Sequence, residues 1–94
     1  MVKKIIYSEH AFADIDRIVE FNNLRNRSTT YSKKFVADLK KRLQTLSKQP
    51  FSGINTDMQG RFLLVWDNYY IFYNVGKTSI EISAIYHQKE DISR

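Results

Sequence analysis

The last third of the chain restricts the fold more than any other stretch. Arg61-Phe62-Leu63-Leu64-Val65-Trp66, Tyr69-Tyr70-Ile71-Phe72-Tyr73-Asn74-Val75 and Ser79-Ile80-Glu81-Ile82-Ser83-Ala84-Ile85-Tyr86-His87 are three runs rich in β-branched and aromatic residues. Only Asp67-Asn68 and Gly76-Lys77-Thr78 separate them. Strand-forming runs with breaks this short form an antiparallel meander, and the upstream residues are then expected to cover it.

The first run is almost continuously apolar, which predicts a strand buried on both faces or a central strand under a helix layer. The second is mostly aromatic, and its tyrosines can bury their rings while their hydroxyls stay hydrogen-bonded or wet. In the third, strict alternation places Ile80, Ile82, Ala84 and Tyr86 on one face and Glu81, Ser83, Ile85 and His87 on the other. His87 then leaves the strand on the more polar face, followed at once by Gln88, Lys89, Glu90 and Asp91.

Upstream, residues 2–7 read as a short strand. Ser8 supplies an N-cap, with Glu9 in the first turn where the helix dipole favours an anion. Ala11, Phe12, Ile15, Ile18 and Val19 then follow helical spacing, so a first amphipathic helix is expected from 9 to about 21. Residues 22–30 are rich in Asn, Ser and Thr and suit a turn that offers several caps. A second helix is expected from about 30 to 47, with Tyr31, Phe35, Val36, Leu39, Leu43 and Leu46 as its buried stripe. Its other side carries Lys33, Lys34, Lys40, Lys41, Arg42 and Lys48 against Asp38 alone. Gln49-Pro50-Phe51-Ser52-Gly53 ends that helix, because Pro50 drives its predecessor out of the helical region. Residues 54–60 are expected to be a loop.

The predicted order is β-α-α-β-β-β. That is an α+β fold, a single domain over 1–94 in which a helical hairpin packs on one face of a mainly antiparallel four-stranded sheet. The uncovered face, expected to bear Tyr70, His87 and the C-terminal polar cluster, is the natural place for a ligand.

Composition narrows the chemistry. Ninety-four residues make one core. There is no cysteine, so disulfides, thiolate nucleophiles and thiolate metal sites are excluded. Two histidines far apart, His10 and His87, argue against a zinc site, and no cofactor motif is present. No stretch approaches the roughly 20 apolar residues of a membrane span and the N-terminus lacks a signal-peptide pattern, so a cytoplasmic location is expected. The net charge of +5 is uneven: up to Pro50 there are 11 Lys/Arg against 5 Asp/Glu, and afterwards 4 against 5. The basic half can meet nucleic acid or an acidic partner, with Lys33, Lys34, Lys40, Lys41 and Arg42 as the expected nucleic-acid-binding residues.

Several local sequences, in order, resemble the RelE/ParE superfamily of type II toxins. They are Ser8 with Ala11 and Asp14-Ile15, Lys33-Lys34-Phe35, Leu46-Ser47-Lys48-Gln49-Pro50-Phe51-Ser52-Gly53, Arg61, Tyr69-Tyr70-Ile71-Phe72-Tyr73, and Ile85-Tyr86-His87. The resemblance implies a bacterial growth-arresting toxin, neutralised by a cognate antitoxin and reaching operator DNA only through it. Members that look like RelE cut messenger RNA on the ribosome without a metal, by helping the ribose 2′-OH attack the adjacent phosphate. That chemistry needs a base, an acid and cations around the phosphorane-like transition state. On this reading Arg61 neutralises phosphate, His87 acts as acid or base, Lys89 adds a second cation, Glu90 is a weaker candidate base, and Tyr70 and Tyr73 stack on a base or orient a phosphate. One departure stands out: ribonuclease members usually carry an arginine where this chain has Tyr70. The ending, Ile85-Tyr86-His87-Gln88-Lys89-Glu90-Asp91, looks more like ParE-type members, which poison DNA gyrase. A third reading is a degenerate toxin that only binds its antitoxin and the operator complex.

Overall fold

The structure is a computed structural model, and it describes residues 2–27, 29–56 and 60–88. Strand β1 (Lys4–Tyr7) leads into helix α1 (Glu9–Asn26) and helix α2 (Thr30–Lys48), followed by β2 (Ile54–Asn55), β3 (Arg61–Trp66), β4 (Tyr69–Val75) and β5 (Ser79–His87). The strands form one sheet in the order β1-β5-β4-β3-β2. β1 runs parallel to β5, and every other pairing is antiparallel. The expected α+β architecture is therefore present, with one correction. The sheet has five strands rather than four, because Ile54 and Asn55, expected in a loop, pair with Leu63 and Phe62 along the outer edge of β3. Two residues carry too little pattern to be read as a strand; the edge they find is what orders them.

Helix α1 starts where the cap chemistry places it. Ser8 has extended backbone angles and its hydroxyl accepts from the Ala11 N–H at 3.0 Å. The helix runs five residues beyond its expected end and stops at Arg27, which takes a left-handed conformation at φ 52. Its extension is held by tertiary contact: Asn22 is buried, and Ser32 on α2 donates to the Val19 carbonyl. α2 buries Phe35, Leu39, Leu43 and Leu46 as its periodicity requires, whereas Tyr31 at its first turn stays exposed.

Both helices pack on one sheet face, against Leu64, Tyr69, Ile71, Tyr73, Ile80, Ile82 and Ile85. The apolar run of β3 lies second from the edge, not at the centre, and among its residues only Leu64 is fully buried while Val65 is 47% exposed. The central strand is β4, whose Tyr69, Ile71 and Tyr73 point into the core. Tyr73 stabilises the exit of α2, donating its hydroxyl proton to the Pro50 carbonyl at 2.9 Å and accepting from the Gly53 N–H at 3.0 Å. A side chain at Gly53 would meet that hydroxyl at 2.5 Å and the Leu63 carbonyl at 2.8 Å, so glycine is required there by close approach.

The strict alternation expected for β5 fails at Ser83. Tyr73 pairs with Ile82 and Phe72 with Ala84, leaving Ser83 as an extra residue on β5, a β-bulge. Beyond it every side chain changes face. Ile85 joins Ile80 and Ile82 in the core, and Ala84 and Tyr86 pass to the opposite face beside Phe72 and Tyr70. His87 consequently faces the helix side, opposite Tyr69, and not the uncovered face.

Candidate functional site

The face turned away from the helices is built from alternate residues of β3, β4 and the far end of β5. Arg61 opens β3 beside Asn74 of β4, and its guanidinium carbon lies 5.3 Å from the Phe72 ring centroid. Its Nη2 donates to the Ser83 hydroxyl at 3.3 Å, and that hydroxyl donates to the Phe72 carbonyl at 3.1 Å. The bulge thus aims a polar oxygen at the guanidinium from two strands away. Phe72 meets Tyr86 edge to face at 6.2 Å, and Tyr70 pairs with Tyr86 across β4 and β5. Tyr86 in turn has the Arg17 guanidinium over its ring at 5.9 Å and the His10 ring at 6.3 Å. The result is a continuous line of cation and aromatic groups, Arg61, Phe72, Tyr86, Arg17, across the open face.

Arg17 and His10 reach this line because α1 closes the edge of β5 that β1 leaves unpaired. Asp14, 6% exposed, accepts from the Ile85 N–H at 2.9 Å. Arg17 donates to the Ile85 carbonyl at 3.2 Å and to Asp14 at 3.3 Å, and His10 lies 2.9 Å from the other Asp14 oxygen. One carboxylate and one guanidinium thereby satisfy both backbone groups of a residue at a sheet edge, as a neighbouring strand would. Ser8 adds a third link by donating to the Ser83 carbonyl at 3.1 Å.

Of the residues expected to act together, Arg61 and Tyr70 share the open face, while His87 does not. Arg61 lies at the Asn74 end of β4 and His87 at the Tyr69 end. Five residues of strand separate those rows, about 17 Å at roughly 3.4 Å per residue. His87 packs edge to face on Tyr69 at 5.2 Å, on the helix side. Lys89, like the rest of the acidic and basic ending, lies outside the described residues. The five cations of α2 are also divided. Lys33 and Lys40 line a groove of about 510 Å3 between the helices, floored by Val19, Val36 and Ala37. Lys34 lines a different cleft, next to the β3–β4 turn. Lys41 is exposed, and Arg42 is half-buried with its charge acting on Tyr73.

Among the described residues, two ionisable groups are displaced from their ordinary range. Burial raises the Tyr73 phenol, against the smaller opposing effects of the Gly53 hydrogen bond and the Arg42 charge. Burial alone raises Tyr7. Both are structural hydroxyls held neutral, and neither lies on the open face. No group of three metal-ligating side chains occurs among the described residues, and no helix among them is long and apolar enough to cross a membrane.

Sequence reasoning missed Arg17, Tyr86, Phe72 and Ser83 as members of this surface. The available signals were weak: an i, i+3 Asp14–Arg17 pair on one helix flank, and a small polar residue in the middle of a β-branched strand.

The family model described as "ParE toxin of type II toxin-antitoxin system, parDE" matches residues 5–92. Among solved structures, the chain is similar to one of the chromosomal ParDE toxin–antitoxin system from P. aeruginosa. The TM-score is 0.74 at 17% identity, covering 92% of this chain and 96% of that one. It is also similar to one of the toxin–antitoxin complex RelBE2 from Mycobacterium tuberculosis. Here the TM-score is 0.66 at 14% identity, covering 93% and 99% of the two chains. No curated protein sequence matches.

Proposed function

This chain belongs to the ParE toxin family of type II toxin–antitoxin systems, and from that membership we propose that it arrests growth by binding DNA gyrase without cutting RNA. A cognate antitoxin holds it inactive and carries it to operator DNA. The observation that supports a non-hydrolytic toxin is the separation of Arg61 from His87. General acid–base catalysis requires its groups within hydrogen-bond reach of the same reacting atoms. Here the expected cation and the expected acid or base stand on opposite faces of the sheet, about 17 Å apart along β4. Tyr70, in place of the arginine usual in ribonuclease members, brings no charge to the open face. What that face offers is a line of arginine and aromatic side chains, the residue types that dominate protein-binding hot spots.

The same line favours a second reading: guanidinium groups beside aromatic rings also suit a phosphodiester with a stacked base, as in ribosome-dependent cleavage of messenger RNA. Induced expression in a bacterial host separates the two. Growth arrest with intact messages, together with inhibition of supercoiling by purified gyrase that weakens in Arg61→Ala, is the expected result. New RNA 5′ ends inside translated messages, lost in His87→Ala, would overturn it in favour of the ribonuclease. Induction without arrest would leave the binding-only domain.

A further inference from the structure

A cleft of about 130 Å3 opens between the first turns of α2 and the β3–β4 turn, lined by Tyr31, Phe35, Asp38, Trp66, Asp67 and Tyr69. Its aromatic wall is fixed by packing: Phe35 lies 4.9 Å from Tyr69 between ring centroids, and Trp66 stacks on Tyr69 at 5.6 Å. Tyr31 is exposed at the mouth. Two acidic residues complete the lining. Asp38 comes from α2, and Asp67 is held at the turn in a left-handed conformation, φ 53, that few side chains adopt readily. Among the described residues neither forms an ion pair, and Lys34, also on the lining, comes within bonding distance of neither. On a chain of net charge +5, this corner carries two uncompensated acids against one lysine free to turn to solvent.

The volume is well below the roughly 300 Å3 at which pockets begin to hold drug-sized ligands, so the cleft suits the end of one side chain. Aromatic faces attract cations, and two carboxylates attract a planar group that donates along several directions at once. A guanidinium meets both conditions, whereas a compact ammonium stacks poorly. We propose that this cleft receives an arginine side chain from a protein partner, its guanidinium against Trp66 and Tyr31 and its N–H groups on Asp38 and Asp67. The assignment rests on the cleft alone and stands whichever target the open face engages.

Trp66 is the one tryptophan in the chain and reports on the cleft directly. The full chain is titrated with the capped tripeptide Gly-Arg-Gly while Trp66 fluorescence and its indole N–H resonance are followed. A capped Gly-citrulline-Gly peptide, free arginine and N-acetylglutamate serve as comparisons. A saturable change with the arginine peptide is expected, about tenfold weaker with the citrulline peptide and about tenfold weaker again for the Asp38→Asn/Asp67→Asn double variant with its melting temperature unchanged. No saturable change, or an equal response to citrulline, overturns the proposal. A preference for N-acetylglutamate would show that Lys34 sets the specificity instead. Tighter binding of free arginine than of the peptide would make the cleft a small-molecule site.

Discussion

Replacing Asp14 by alanine tests whether one carboxylate does the work of a missing strand. The carboxylate is 8% exposed and accepts from the N–H of Ile85, itself fully buried, at 2.9 Å. Asp14→Ala strands that N–H away from water, which costs about 1–3 kcal/mol. The Arg17 and His10 contacts add less. Arg17 is 44% and His10 59% exposed, so solvent screening leaves each under about 1 kcal/mol. The total is about 2–4 kcal/mol, a large share of the roughly 5–14 kcal/mol expected for a domain of this length. At about 4–8 °C per kcal/mol, the melting temperature should fall by roughly 8–32 °C. Asp14→Asn keeps an acceptor oxygen for Ile85 while losing the charge, so it should cost only about 1 kcal/mol. Urea denaturation followed by circular dichroism gives the energies, and amide hydrogen exchange locates the effect. Ile85 should lose protection in the alanine variant and keep it in the asparagine variant. Equal stabilities for the two variants, or a still-protected Ile85 N–H in Asp14→Ala, would refute the strand-mimic argument.

The Tyr73 clasp makes three further predictions. Tyr73→Phe removes the bonds to Pro50 and Gly53 and should destabilise by about 1–3 kcal/mol at neutral pH, measured by urea denaturation. Because burial raises the folded-state pKa of Tyr73, its stabilising effect is complete below the unfolded value of about 10 and declines as pH rises from there through the folded value. The gap between wild type and Tyr73→Phe should therefore narrow above about pH 10, and a gap that widens would show the sign to be wrong. Gly53→Ala drives a methyl group into the Tyr73 hydroxyl and the Leu63 carbonyl, so a loss of about 1–3 kcal/mol is expected in thermal denaturation.

The patterns that stand on local chemistry were legible. Ser8 caps α1, the stripe from Phe35 to Leu46 is buried, Pro50 ends α2, and the meander turns at Asp67-Asn68 and at 76–78. Each follows from hydrogen bonding or periodicity within a few residues. The resemblance carried by short segments in order led to the right family.

What the chain alone determined is the order of the helices and of every strand but β2, the buried stripe of α2 and the family; the fifth strand and the site arrangement came only with tertiary structure. Ser83 has no local feature that forces an extra residue into β5, because a bulge exists only relative to the strand it mispairs with. A single shift of one residue exchanges faces, and this one sent Tyr86 to the open side and His87 to the helix side. The place of Arg17 likewise depends on an unpaired edge of β5 that β1 is too short to cover. Alternation predicts which residues share a face only while the register runs unbroken, and register is a property of two strands.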